Sequence, residues 1–194
     1  MSGRTRTVTS ESVLAAAVRI TEKQGLSNLN IHQLAAELGL KPASLYNHIK
    51  GINEVKVNVS KYAINELNKV TRDAAIGYAH EEALFRIACA LRNFAAKCPE
   101  LYNAINLFST TSPEEYKKML GLHLNVLHQI LDTYKLDDDV KTHFLHAFRS
   151  ALHGFASLEA VGAFGDNADM DESFRRMTVH LIKMLEGTAN DKKN

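Results

Sequence analysis

Apolar residues in this chain recur at spacings of three and four along almost its whole length, with little to interrupt them. Leu84, Ile87, Ala88, Leu91, Phe94 and Ala95 are typical of the pattern, as are Val55, Val59, Tyr62, Ala63, Leu67 and Val70. This is the period of an α-helix with one buried face. Only three prolines and ten glycines occur in 194 residues, so few breakers limit helix length. No convincing alternating strand is found. Tryptophan is absent and aromatic residues are 7%, which argues against an aromatic-rich β-sandwich. Hydrophobic residues at 45% and charged residues at 23% exclude a disordered chain, a collagen-like chain and a disulfide scaffold. The pattern predicts an all-α protein.

Local signals divide this pattern into helices. Residues 1–9 read as a short arm carrying Arg4 and Arg6. Ser10 is expected to cap a first helix that Gly25 stops, and a second runs from after Asn30 to Gly39. Pro42 opens a third through His48, and a long helix starts near Asn53 and runs past Val70. Further helices are predicted over 81–98 and 101–108. Ser112-Pro113-Glu114-Glu115 then announces one reaching Tyr134, with a cap, proline at the first position and acids favoured by the helix dipole. Asp137-Asp138-Asp139 opens a helix expected to run to about Phe164. The last spans about Met170 to Glu186.

Cys89 and Cys98 lie nine residues apart in one predicted helix, about 13 Å of rise. That is too far for a disulfide, and their spacing is no metal motif. Two reduced thiols, no signal peptide and no apolar run long enough to span a membrane lead us to expect a soluble, cytoplasmic chain.

Residues 30–49 carry the most information about function. Ala35, Gly39 and Leu45 stand at helix-turn-helix spacing. A tight crossing needs a small side chain such as Ala35. The turn needs a residue tolerant of positive φ, such as Gly39. The second helix needs an inward apolar plug, which Leu45 supplies, and Leu34, Leu38 and Leu40 complete the small core. Such a pair places its second helix in the DNA major groove. Lys41, Ala43, Ser44 and Asn47 are expected to face outward, with Tyr46 and His48 in reach of phosphates. Charge agrees: residues 1–56 hold seven Lys and Arg against four Asp and Glu, and residues 57–194 hold sixteen against eighteen. A basic head on an acidic body suits DNA binding by one end.

In these residues the chain resembles the DNA-binding domain of the TetR (tetracycline-repressor-like) regulators. The resemblance rests on Gly25, Ala35, Gly39 and the run Leu45-Tyr46-Asn47-His48, with a long helix following. Ile49 stands where the family usually has Phe, and Ile52 where it usually has Lys, so Lys50 or Lys56 is expected to supply that phosphate contact. The segment from Phe148 to Glu159 also resembles the body of a TetR subgroup named for a Trp-His-Gly motif, with Leu152 in the place of Trp and His153-Gly154 after it. The resemblance implies a helix-turn-helix domain over 1–52 and a helical effector-binding and dimerisation domain over 53–194.

It further implies a ligand-responsive regulator, most simply a repressor, that binds a palindromic double-stranded DNA operator as a homodimer and is released by a small-molecule effector. The DNA-contacting set is then Asn30, Lys41, Ala43, Ser44, Tyr46, Asn47, His48 and Lys50, helped by the Arg4/Arg6 arm. Tyr62, Phe94, Tyr102, Met119, His123, Leu127 and His153 are candidates to meet the effector, although most such residues in a helical body are simply core. The last two long helices carry apolar residues around much of their circumference. More than one neighbour is needed to bury them, and Phe148, Phe155, Leu158, Met177, Leu181 and Met184 are candidates for the dimer interface. Arg149 and Glu159 are candidates to pair across helices. His143 and His146 share a helix face, but no evident metal site is completed, and no cofactor or membrane partner is implied. A rival reading is a helical carrier or enzyme whose helix-turn-helix is only structural. The chain lacks a nucleophile elbow, phosphate loop, paired-carboxylate motif or zincin spacing, which argues against catalysis.

Overall fold

Thr9, rather than Ser10, caps the first helix. In the computed structural model, which describes residues 8–165 and 168–191, its Oγ1 accepts the Ser12 N–H at 3.2 Å while Ser12 Oγ accepts the Thr9 N–H at 2.9 Å. The two hydroxyls close a reciprocal box that satisfies two otherwise orphaned donors. Side chains of residues 109–111, 120, 122–124 and 186–191 are not described. Among the described residues there are nine α-helices, one 3-10 turn and no strand.

The first compact unit runs to Asn65 and resumes over Cys98–Lys117. It contains α1 (Ser10–Gln24), the 3-10 turn Leu26–Asn28, α2 (Ile31–Leu38), α3 (Pro42–Leu45), the first half of α4 (Ile52–Ala75) and α6 (Pro99–Thr111). Val13, Ala16, Ala17 and Ile20 of α1 form its core with Leu34, Leu45, Val59, Leu101 and Phe108. The turn after α1 requires glycine: Gly25 has φ +82°, and a Cβ there would stand 2.9 Å from Glu100 Oε2 of α6. Ser60 of α4 donates its buried hydroxyl to the Ala104 carbonyl of α6 at 3.0 Å.

The second unit comprises Glu66–Lys97 and the chain from Lys118 onward. It holds the end of α4, α5 (His80–Lys97), most of α7 (Pro113–Asp132), α8 (Asp138–Ala160) and α9 (Met170–Asp191). Helices α5, α8 and α9 pack pairwise. Leu84, Ile87 and Leu91 of α5, Phe148, Leu152 and Phe155 of α8, and Phe174, Ile182 and Leu185 of α9 are all buried in the core. Helix α8 stops at Ala160, short of Phe164, because Gly162 adopts φ +65° and the Ala163 N–H closes back on the Leu158 carbonyl at 2.9 Å. Phe164 folds back to pack on Phe155, ring centroids 4.9 Å apart.

Candidate nucleic-acid interface

Helix α2 is held at both ends by its own sequence. Asn30 Oδ1 accepts the Gln33 N–H at 3.1 Å, and Asn30 Nδ2 donates to the Asn28 carbonyl at 3.2 Å. Both polar atoms of Asn30 are thus engaged at the start of the helix. At the other end Gly39 adopts the left-handed conformation, φ 70° and ψ 28°. The Leu40 N–H then reaches the Ala35 carbonyl at 2.8 Å and the Gly39 N–H the Ala36 carbonyl at 3.1 Å. That double closure is the Schellman geometry, which turns the chain sharply after the helix.

The turn delivers Lys41 and Pro42, and Pro42 starts α3 at its first position, where a missing N–H costs nothing. Helix α3 spans one turn, Pro42–Leu45, shorter than the helix expected through His48. The chain tightens instead: the Asn47 N–H bonds the Ser44 carbonyl at 3.3 Å and the His48 N–H the Leu45 carbonyl at 2.9 Å. Leu45 is fully buried, the inward plug. Around it Lys41, Ala43, Tyr46, Asn47, His48 and Lys50 are exposed, and Ser44 is half-buried. One short segment therefore presents donors, two ammoniums, an imidazole and a phenol on a rigid anchor. Tyr46 is 57% exposed, unusual for so large an apolar ring in a folded head.

Two polar links brace this segment. The Glu54 carboxylate accepts the Lys50 backbone N–H at 2.8 Å at the start of α4, and Arg19 of α1 pairs with Glu37 of α2 at 2.9 Å. Lys56, a candidate phosphate contact, donates instead to the Ser27 carbonyl at 3.1 Å. Arg4 and Arg6 lie outside the described residues.

Residues 84–181, half of the chain, match the family described as tetracyclin repressor-like, C-terminal domain. An uncharacterized HTH-type transcriptional regulator of Mycobacterium tuberculosis H37Rv, Rv0681, is 30% identical over 178 residues, covering 91% of this chain and 81% of that protein. The chain belongs to the TetR family of transcriptional regulators. It is a DNA-binding regulator of transcription. Two solved structures share the fold. SCO7222, a TetR from Streptomyces coelicolor, aligns over 94% of this chain and all of its own, with TM-score 0.71 at 15% identity. BioQ with its double-stranded DNA operator aligns over 93% of this chain and 99% of its own, with TM-score 0.64 at 20% identity.

The body residues singled out from the TetR resemblance fall in different places. Tyr62 and Tyr102 belong to the first unit, half-buried and buried respectively. In the second unit Phe94 and Leu127 are buried and Met119 is half-buried. The side chain of His123 lies outside the described residues. His153 sits on the exposed face of α8 rather than in the interior, and partial burial of its ring with Arg149 nearby holds its pKa below the ordinary histidine value. Of the dimer candidates, Phe148 and Phe155 are interior: Phe148 stacks on Phe144 with centroids 5.3 Å apart, and Phe155 meets Phe174 at 5.1 Å. They belong to the protomer's own core and are not free to meet a partner. Leu158 and Met184 are exposed, and Met177 and Leu181 are half-buried. Val161, at 77% exposure the most open large apolar residue among them, was not among the expected set.

Glu159 pairs across helices, as expected of it. It receives two hydrogen bonds from Arg92 of α5, whose remaining nitrogen reaches Asp171 of α9 at 2.8 Å. The same guanidinium lies 4.9 Å from the Phe174 ring centroid and 5.5 Å from that of Phe155. Its two carboxylate partners raise the Arg92 pKa further above an already high value. Cys89 and Cys98 are both half-buried. Among the described residues no group of three or more His, Cys, Asp or Glu could hold a metal ion, and no helix is long and apolar enough to cross a membrane.

Proposed function

We propose that this regulator is a homodimeric repressor that binds a palindromic operator through residues 1–52 and is released by a small-molecule effector held by residues 53–194. The observation that carries the reading is the exposed run Lys41–Lys50 around the buried Leu45. Lys41, Ala43, Ser44 and Asn47 meet base edges. Tyr46, His48 and Lys50 hold phosphates, as does the start of α2 at Asn30, and the Arg4/Arg6 arm reaches an adjacent groove. Phosphate contacts fix register and base contacts give the sequence preference. BioQ, whose structure includes its operator, shares the fold and supports this reading.

The dimer forms through the outward face of α8 and α9, with Leu158, Val161, Met177, Leu181 and Met184 as its apolar surface. A two-fold dimer sets two recognition segments about one DNA turn apart. The effector is small and apolar, with Tyr62, Phe94, Tyr102, Met119, His123 and Leu127 as contact candidates. It binds more tightly to the form that fits DNA poorly. By linkage DNA then weakens effector binding by the same factor, and a hundredfold loss of DNA affinity corresponds to a coupling of about 2.7 kcal/mol.

The test is selection of the purified protein against random duplex DNA, followed by a salt titration of the enriched sequence. An inverted repeat is expected, with affinity falling steeply as salt rises. Only weak, sequence-blind binding, by the protein as purified and again after unfolding, dialysis and refolding, would overturn the reading.

A further inference from the structure

A cleft of about 690 Å³ lies wholly within the first unit, between the 3-10 turn, the first half of α4 and the α6–α7 junction. That volume is in the range that holds a small organic molecule. None of the effector candidates named above lines it. One wall is apolar, formed by Leu26, Val57 and Leu107, and Leu107 remains 40% exposed.

Four charged side chains line the cleft, and three are satisfied within the protein. Lys61 and Glu115 pair at 2.9 Å. Glu54 accepts the Lys50 N–H. Lys56 differs: the residue is half-buried, its ammonium donates to the neutral Ser27 carbonyl at 3.1 Å, and it has no carboxylate partner among the described residues. An ammonium carries three donors, so two remain for a ligand. A lysine that lines a cleft without a counter-ion attracts an anion more strongly beside the low-dielectric protein than it would in bulk water.

The rest of the lining sets the anion's charge and shape. Glu54 and Glu115 disfavour a dianion, and no guanidinium fork is present to grip a phosphate. The apolar wall asks for a hydrocarbon part. We propose that this cleft binds a small monocarboxylate with a hydrocarbon tail, its carboxylate on Lys56 and its tail against Leu26, Val57 and Leu107.

Octanoate serves as the probe, titrated into the full chain without DNA and followed by backbone amide NMR. The absence of DNA keeps failure here distinct from failure of the operator reading. Saturable shifts are expected at residues 26–27, 53–58 and 107. Lys56→Gln keeps part of the stem, one atom shorter, and an N–H donor but removes the charge. It is expected to weaken octanoate about tenfold, the scale of a lost charge-assisted contact, while uncharged octanol binds both proteins alike. No saturable shift at those amides in the wild type, equal octanoate affinity in both proteins, or tighter binding of hexyl phosphate than of octanoate would each overturn the proposal.

Discussion

Neighbouring residues in the recognition segment have opposite roles. Leu45 faces wholly inward and Tyr46 is 57% exposed. Tyr46→Ala is expected to leave thermal unfolding unchanged and to weaken operator binding about tenfold, since a hydrogen bond to a charged phosphate contributes about 1.5 kcal/mol. Binding by fluorescence anisotropy checks it, and unchanged affinity would count against the segment. Leu45→Ala is the contrasting case, expected to cost about 3 kcal/mol of stability through the cavity it leaves. Arg92 shows what a single residue does in the second unit. Its side chain is 17% exposed, and its guanidinium ties α5 to Glu159 at the end of α8 and Asp171 at the start of α9. Arg92→Ala leaves Glu159 partly buried without its partner, and a loss of about 3 kcal/mol in urea unfolding is expected. The sequence marks Glu159 as a candidate to pair across helices but does not give Arg92 as its partner. Arg92 and Glu159 are separated by 67 positions, and periodicity reports faces, not which face meets which.

At the scale of elements, the helix-turn-helix was legible because its determinants are local. Ala35, Gly39 and Leu45 act on their immediate neighbours, so their spacing is enough to predict the turn. Two misreadings were also local in origin. Composition overstates the length of α3, because residues 46–48 have ordinary helical composition but close through i→i−3 bonds. Apolar periodicity places the end of α8 too late, because it continues to Phe164, past the left-handed Gly162 that stops the helix. The 3-10 turn before α2 was missed, and with it the Lys56–Ser27 link, since so short a turn has no periodicity. Gly39 tests the local argument directly. A Cβ there meets nothing within 4 Å, so the cost of Gly39→Ala is conformational alone. A loss of about 1 kcal/mol is expected from forcing an L-residue into the left-handed region. A denaturant melt with no shift would mean the turn relaxes to another geometry.

For the whole molecule, the question is what covers the outward face of α8 and α9. Sequence periodicity marked both helices as apolar nearly all round and could not divide the residues between core and partner. The fold makes the division: Phe148, Phe155, Phe174, Ile182 and Leu185 turn inward, and Leu158, Val161 and Met184 remain exposed at 46%, 77% and 70%. Gly154 lies on α8 with open space where a Cβ would stand. Its lack of a side chain relieves nothing inside the protomer. A charge on this face is therefore expected to act on assembly and not on folding. Leu158→Glu combined with Met184→Glu is predicted to keep the helical content and the melting temperature of the protomer while sedimentation velocity shows monomers. Its affinity for a single half-site is expected to match that of the wild type. Its affinity for the full inverted repeat is expected to fall by about a hundredfold or more, because two linked heads bind the second half-site as an intramolecular event. A variant that stays dimeric would place the interface elsewhere on the chain. A monomer that retained full operator affinity would show that the two heads do not act together.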